Sequence, residues 1–170
     1  MRHGAAILTL SDRQHSGERE HDGSAAAIRE LIADLPLDLV EYVVEPDDAP
    51  TIEAALRRLC AREDVGLVLT TGGTGLAPRD TTPDATLRVI EYVVPGIAEA
   101  MRLEGVKHTP MAMLSRAVAG VANRTLIINL PGSPRGVRES LGAVLAALPH
   151  ALDKLAGDPD EPEPPPAADG

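Results

Sequence analysis

Tryptophan and phenylalanine are absent from this 170-residue chain, and Tyr42 and Tyr92 are its only aromatic residues besides histidine. The formal charge is −10 at pH 7. Non-specific binding of nucleic acid needs a positive surface to displace counterions and, for single strands, aromatic platforms for the bases. The chain has neither, so no nucleic-acid partner is expected. Lysine is nearly missing as well. Lys107 and Lys154 are the only two, and neither ends a Gly-x-x-x-x-Gly run, which sets aside a P-loop. No apolar run approaches the roughly 18 residues of a membrane span. Met1-Arg2-His3 leads directly into a strand pattern without a signal-peptide core. No membrane association and a cytoplasmic location are therefore expected. Cysteine occurs once, at Cys60 on the apolar side of a helical pattern, which excludes an internal disulfide and reads as a small core residue. His3, His15, His21, His108 and His150 are scattered, without the close spacing of a zinc site.

What the chain does have is enough apolar content, 44%, to build a sizeable core at this length. Residues 1–156 read as one domain. Residues 157–170, "GDPDEPEPPPAADG", carry five acids and no base; this acidic, Pro-rich tail is expected to stay disordered and to be dispensable for folding. Ala5–Leu10, Leu37–Val44 and Val65–Thr70 read as strands, and Ser24–Asp34 and the stretch from Ile52 to Cys60 as helices between them. Ile52, Ala55, Leu56, Leu59 and Cys60 supply the apolar face of the second helix. Further helices are expected over 83–93 and 95–104, with a short helical turn at 111–114. Residues 117–121 and 125–130 read as a strand pair turned at Asn123-Arg124. A last helix is expected over 134–152, interrupted at Pro149. The alternation predicts an α/β fold, a three-layer α/β/α sandwich around a mostly parallel sheet.

Such sheets bind ligands in the crevice at the carboxyl ends of their strands. Three loops leave those ends: Ser11-Asp12-Arg13, the glycine-rich "TTGGTGLAPRDTTPDAT" (70–86), and Leu130-Pro131-Gly132-Ser133-Pro134. The glycine loop lies between a strand and a helix start at Thr82-Pro83, where exposed N–H groups favour anions. Its spacing is not that of a dinucleotide fingerprint, since Pro78 follows Gly75 closely and the helix begins only near Pro83. Read alone, Ser11-Asp12 is also ordinary turn chemistry, and Ser133 also a helix cap. Two carboxylates border the glycine loop in this reading, Asp47 or Asp48 after the second strand and Asp80 after the third. One of Asp47 and Asp48 can cap the next helix while the other faces the cleft. Paired acids beside a phosphate-binding loop suit Mg²⁺, which prefers one or two carboxylates completed by substrate phosphate oxygens.

"TLSDR" (9–13), "PDD" (46–48), "LTTGGTGLAPRDTTPDAT" (69–86), "MLSR" (113–116) and "INLPGSP" (128–134) together resemble the MogA and MoaB family of molybdenum-cofactor biosynthesis, the molybdopterin adenylyltransferases, with the related G domain of gephyrin. The resemblance spans roughly residues 4–155 in the same order. It implies an α/β/α sandwich, usually trimeric, that uses Mg²⁺ and ATP to adenylylate the terminal phosphate of molybdopterin before a molybdenum insertase completes the cofactor. It places the functional aspartates, and with them the metal, on Asp47 and Asp80. It places the nucleotide and pterin-phosphate contacts on Ser11 and Asp12, on Thr71, Gly72, Gly73, Thr74 and Gly75, on Ser115 and Arg116, and on Pro131, Gly132, Ser133 and Pro134. Arg79 and Arg116 are further phosphate partners in this reading. The intact Pro78-Arg79-Asp80 favours an enzyme over the alternatives, a non-catalytic molybdopterin-binding protein of the same fold and a nucleotide hydrolase on a related domain.

Overall fold

The computed structural model describes residues 1–18 and 20–157; the expected disordered tail lies outside the described residues. Four parallel strands form the body of a six-stranded sheet: β1 (His3–Leu10), β2 (Leu37–Glu45), β3 (Leu67–Thr71) and β6 (Thr125–Leu130). The short β4 (Tyr92–Val93) and β5 (Ala119–Ala122) add an antiparallel flank, giving the order β2-β1-β3-β6-β5-β4.

The apolar runs of β1, β3 and β6 are explained by burial on both faces. Ala5 and Ile7 of β1 join Leu67, Leu69, Leu126 and Ile128 in a core closed by α2 (Gly23–Ile32), α5 (Pro95–Val106), α6 (Pro134–Gly142) and α7 (Leu148–Ala156). The alternate residues Ala6 and Leu8 join Val68 and Ile127 in a second core, closed by α3 (Ala49–Cys60) and α4 (Thr82–Leu87). Successive strand side chains point to opposite faces, so a strand between two helical layers has to be apolar throughout. The three-layer α/β/α expectation holds. Cys60 is buried in the second core, and that burial pushes its thiol up to about 11, where it is inert.

Three boundaries differ from expectation. The helix expected over 83–93 stops at Leu87, because the β-branched segment after it pairs with β5: Glu91 N–H donates to Val121 O at 2.7 Å and Val94 N–H to Ala119 O at 2.8 Å. The last helix breaks after Gly142 rather than at Pro149, which lies in the first turn of α7 where a missing N–H leaves no bond unmade. The polar segment after β1 contains a one-turn helix, α1 (Asp12–His15), capped by the Ser11 hydroxyl.

The register sets the ends of the central strands side by side. Leu10 pairs with Glu45, Thr9 with Thr71, and Thr71 with Leu130. The loops that follow β1, β2, β3 and β6 therefore meet at one edge of the sheet.

Candidate active site

Asp12 knits the first three of these loops together. Its Oδ1 accepts from Asp47 N–H at 3.1 Å and its Oδ2 pairs with Arg79 at 2.5 Å. Asp48 is the cap of α3, accepting from Thr51 N–H at 3.1 Å and from the Thr51 hydroxyl at 2.7 Å, and these bonds hold its carboxyl below the usual range. Asp47 takes no part in that cap, and its Oδ1 is buried beside Gly73. Burial, and then the neighbouring Asp12 carboxylate, push Asp47 above the ordinary carboxylate range, with Asp80 adding to the rise and Arg79 opposing it.

Geometry explains the glycines. Gly72 and Gly73 have φ of 104° and 64°, in the left-handed region. A β-carbon on Gly72 would lie 2.5 Å from Leu10 O, and one on Gly73 would run into Thr82 Oγ1 and sit 3.4 Å from Asp47 Oδ1. Only glycine lets the backbone turn this closely past the Thr82 hydroxyl. Beyond the turn, Asp80 Oδ2 accepts from Ala77 N–H at 2.9 Å and so closes the 77–80 loop on itself.

The remaining residues named from the sequence divide between cleft and scaffold. Thr71 Oγ1 donates to Pro131 O at 2.7 Å, and Gly72 N–H to Leu130 O at 3.1 Å, so the glycine loop and the 131–134 loop are bonded to each other. Ser133 caps α6 through Gly136 N–H, with Pro134 in its first turn. Gly132 O accepts from Ser24 Oγ at 2.7 Å. Ser115 Oγ accepts from Ala117 N–H. Arg116 braces the loop from outside: its N–H donates to Thr74 O at 2.8 Å, and its guanidinium binds Asp80 O at 3.1 Å and Asp84 at 2.6 Å. Both arginines read as phosphate partners, Arg79 and Arg116, thus have acidic partners within the protein.

Two chambers flank the 131–133 loop. One, about 410 Å³, is lined by Ser11, Gln14, Asp22, Ser24, Thr71 and Gly132. The other, about 470 Å³, is more apolar, with Thr74, Gly75, Met101, Leu114, Ser115 and Ser133 on its walls. A wider groove of about 1010 Å³ lies at the opposite end of the strands, away from the three loops. Its charged groups are largely paired with one another, Arg2 with Asp38 and Arg62 with Asp64. Asp22 in the first chamber carries no signal in the sequence. It caps α2 and accepts from the Thr9 hydroxyl at 2.6 Å and the Tyr42 hydroxyl at 2.8 Å. Burial raises its pKa, but the hydrogen bonds from Ala25 N–H, Thr9, Tyr42 and Gln14 outweigh it and hold the carboxyl below its usual range.

Among the described residues no three His, Cys, Asp or Glu side chains converge to form a complete metal site. Any cation held by the acids beside the glycine loop would need further oxygen ligands from outside the chain, from water or a substrate.

Comparison with known proteins identifies the family. Residues 6–150 match a family model described as a probable molybdopterin binding domain. A molybdopterin adenylyltransferase of Helicobacter pylori is 43% identical over 154 residues, covering 89% of this chain and 87% of the relative. One from Escherichia coli is 37% identical over 165 residues, covering 89% and 84%. Among solved structures, the molybdopterin biosynthesis enzyme MoaB of Thermus thermophilus is similar with a TM-score of 0.86 at 53% identity, over 94% of this chain and 99% of that one. With the same fold and a family match that spans all the cleft loops, this chain belongs to the molybdopterin-binding family of the MogA and MoaB proteins.

Proposed function

We propose that the chain is a molybdopterin adenylyltransferase, transferring the adenylyl group of ATP to the terminal phosphate of molybdopterin ahead of molybdate insertion. The observation that carries this reading is the Asp47 carboxylate lodged against Gly73, its Oδ1 buried and without a hydrogen-bond partner among the described residues. A buried oxygen of this kind costs stability unless something external uses it.

In this reading the backbone N–H groups of Gly73, Thr74 and Gly75 and of Gly132 and Ser133 hold the phosphates, and the chambers on either side take the adenine nucleoside and the pterin. Asp47 and Asp80 fit Mg²⁺ as hard oxygen donors beside an anion cradle; the bound ion supplies neutralising charge at the phosphates. A terminal phosphate oxygen of molybdopterin forms the new bond to the α-phosphorus, the α–β bridging P–O bond breaks, and pyrophosphate leaves. The attacking phosphate is already largely anionic near neutral pH, its second pKa being about 6, so no side chain has to remove a proton. What the chain contributes is alignment of two anions in one rigid cleft. Asp12 and Arg79 act by fixing where Asp47 and the glycine loop sit.

The partners are molybdopterin, ATP and a molybdenum insertase, in the cytoplasm; no described helix is long and apolar enough to cross a membrane. Exposed Leu103 and Val106 on α5, with Met111, Met113 and Leu114 on the turn after it, support self-association, read here as the homotrimer that the family resemblance implies. Sedimentation showing a monomer at micromolar concentration would remove that part. The reaction is tested by pyrophosphate release. A transferase requires ATP and molybdopterin together, a non-catalytic binder releases none, and a nucleotide hydrolase works without the pterin.

A further inference from the structure

The two chambers beside the 131–133 loop are of similar size, about 410 and 470 Å³, so volume does not decide which heterocycle each one takes. Each has one acid on its wall, and the two acids differ in what they have left to offer. Asp22, in the smaller chamber, is occupied by the protein itself: Oδ1 accepts from Ala25 N–H at 2.9 Å, and Oδ2 from the Thr9 and Tyr42 hydroxyls at 2.6 and 2.8 Å. Both lone pairs of Oδ2 are thereby used. Glu139 lies on the α6 wall of the larger chamber, with its side chain only 16% exposed. Its two cationic neighbours approach the same oxygen: Arg135 Nε donates to Oε1 at 2.7 Å, and His108 Nδ1 lies 3.8 Å from it. Among the described residues no hydrogen bond reaches Oε2.

From this contrast we infer that Glu139 is the specificity-determining residue for the pterin, so that the chamber between α5 and α6 takes the pterin and the chamber at Asp22 takes the adenosine of ATP. The inference rests on the reading that the two substrates are molybdopterin and ATP. A pterin carries a ring N–H beside an exocyclic amino group on its pyrimidine edge, two donors side by side as in a guanidinium. A carboxylate accepts such a pair on both oxygens at once. Here Oε2 and the remaining lone pair of Oε1 are the acceptors. Adenine sets its amino group beside a ring nitrogen that is itself an acceptor, and a carboxylate repels that edge. The rest of the chamber suits a flat bicyclic ring joined to a phosphate. Met101 and Met111 on its walls offer polarisable sulfur to the ring face, while Gly75 and Ser133 connect it to the two phosphate loops.

The test measures the affinity of the full chain for molybdopterin and, separately, for a non-hydrolysable ATP analogue. Pterin and lumazine are then used as competitors for molybdopterin; lumazine has the same two rings with a carbonyl in place of the 2-amino group. Wild type should be displaced by pterin at a concentration roughly tenfold or more below that of lumazine, the worth of one hydrogen bond to a charged group. Glu139→Gln, whose amide can accept only one of the two N–H groups, should bind molybdopterin roughly tenfold or more weakly and lose the preference for pterin, with affinity for the ATP analogue within about twofold of wild type. Arg135→Ala removes the ion pair and keeps the carboxylate, so it should keep the preference; a purely structural role for Glu139 would make the two variants alike. Pterin competing no better than lumazine in the wild type overturns the inference without any variant, should Glu139→Gln fold poorly. Glu139→Gln that keeps the preference overturns it as well, and so does an equal loss of molybdopterin and ATP-analogue binding. Each of these leaves the transferase reading standing, whereas wild type that binds no molybdopterin at all takes both down.

Discussion

Gly73→Ala adds one methyl at a position where two separate costs meet, and a second glycine allows them to be measured apart. Gly17 has φ of 81° with nothing within 4 Å of where a β-carbon would sit. Gly17→Ala therefore isolates the backbone cost, about 1–2 kcal/mol for an L-residue held in the left-handed region. Gly73, at φ of 64°, carries the same cost and adds a collision with Thr82 Oγ1. Overpacking a tight site typically costs a further 1–3 kcal/mol, so Gly73→Ala should lose about 2–5 kcal/mol in all. At roughly 2–4 °C per kcal/mol for a chain of this size, the melting temperature should fall by about 4–20 °C. The chain has no tryptophan, so unfolding is best followed by far-ultraviolet circular dichroism in urea, with pyrophosphate release measured well below the transition. The folded fraction of Gly73→Ala should still turn over more slowly, because the methyl displaces Thr82 or shifts the glycine loop itself. A Gly73→Ala variant no less stable than Gly17→Ala, and as active as wild type, would refute the crowding on which this reasoning depends.

Other outcomes follow from the same geometry. Asp80→Asn should fold normally, since an amide oxygen can still accept from Ala77 N–H, yet release pyrophosphate on the order of 10²-fold more slowly with pterin affinity retained; near-normal turnover would remove Asp80 from the chemistry. Asn129 donates to Thr70 Oγ1 and Thr86 Oγ1 at 3.0 Å each and accepts from Val118 N–H at 3.3 Å, all within the sheet and the helix packed on it. Asn129→Ala should cost about 3 kcal/mol in a urea titration, and a loss under about 1 kcal/mol would mean that this network holds nothing together. Tyr42→Phe removes a hydrogen bond to the Asp22 carboxylate and should cost about 1 kcal/mol near neutral pH. Because the folded pKa of Asp22 is lowered, that contribution is complete above roughly pH 5 and fades as the pH falls through the folded value; a deficit that persists undiminished in acid would contradict it.

Legibility in the sequence followed how local the cause was. β1, β3 and β6 are readable because burial on both faces writes an unbroken apolar run into each. The choice between Asp47 and Asp48 can be posed but not made, since it turns on which carboxylate reaches back to Thr51. β4 is not readable, because Tyr92 and Val93 become a strand only when β5, some thirty residues on, supplies the bonds to Glu91 and Val94. At the site, the glycine pair and its neighbouring acids announce an anion cradle. The Arg79–Asp12 pair does not announce itself, and in the sequence each residue reads as facing a ligand. The Asp22–Thr9–Tyr42 cluster and the hydroxyl of Thr82 are equally invisible. Thr82 looks like a helix cap, but Thr81 precedes the first turn and caps it with no side-chain bond. What distinguishes Thr82 is its proximity to Gly73, and proximity of that kind belongs to the fold.

The strand order β2-β1-β3-β6-β5-β4 carries a consequence for how the protein is made. Chains leave the ribosome from the amino end, and β6 is both the last strand to emerge and the one seated in the middle, between β3 and the antiparallel pair. Until residue 130 is available, the growing chain holds β3 with one side unpaired and apolar, the kind of edge that recruits strands from other molecules. Non-local pairing of this sort also folds slowly. A stalled or truncated product therefore lacks the 131–134 loop and exposes an aggregation-prone edge, so it cannot occupy substrate as a half-built enzyme. Expression of fragments ending before β6 should yield insoluble protein, and the demand for chaperones during synthesis should fall sharply once that strand is out.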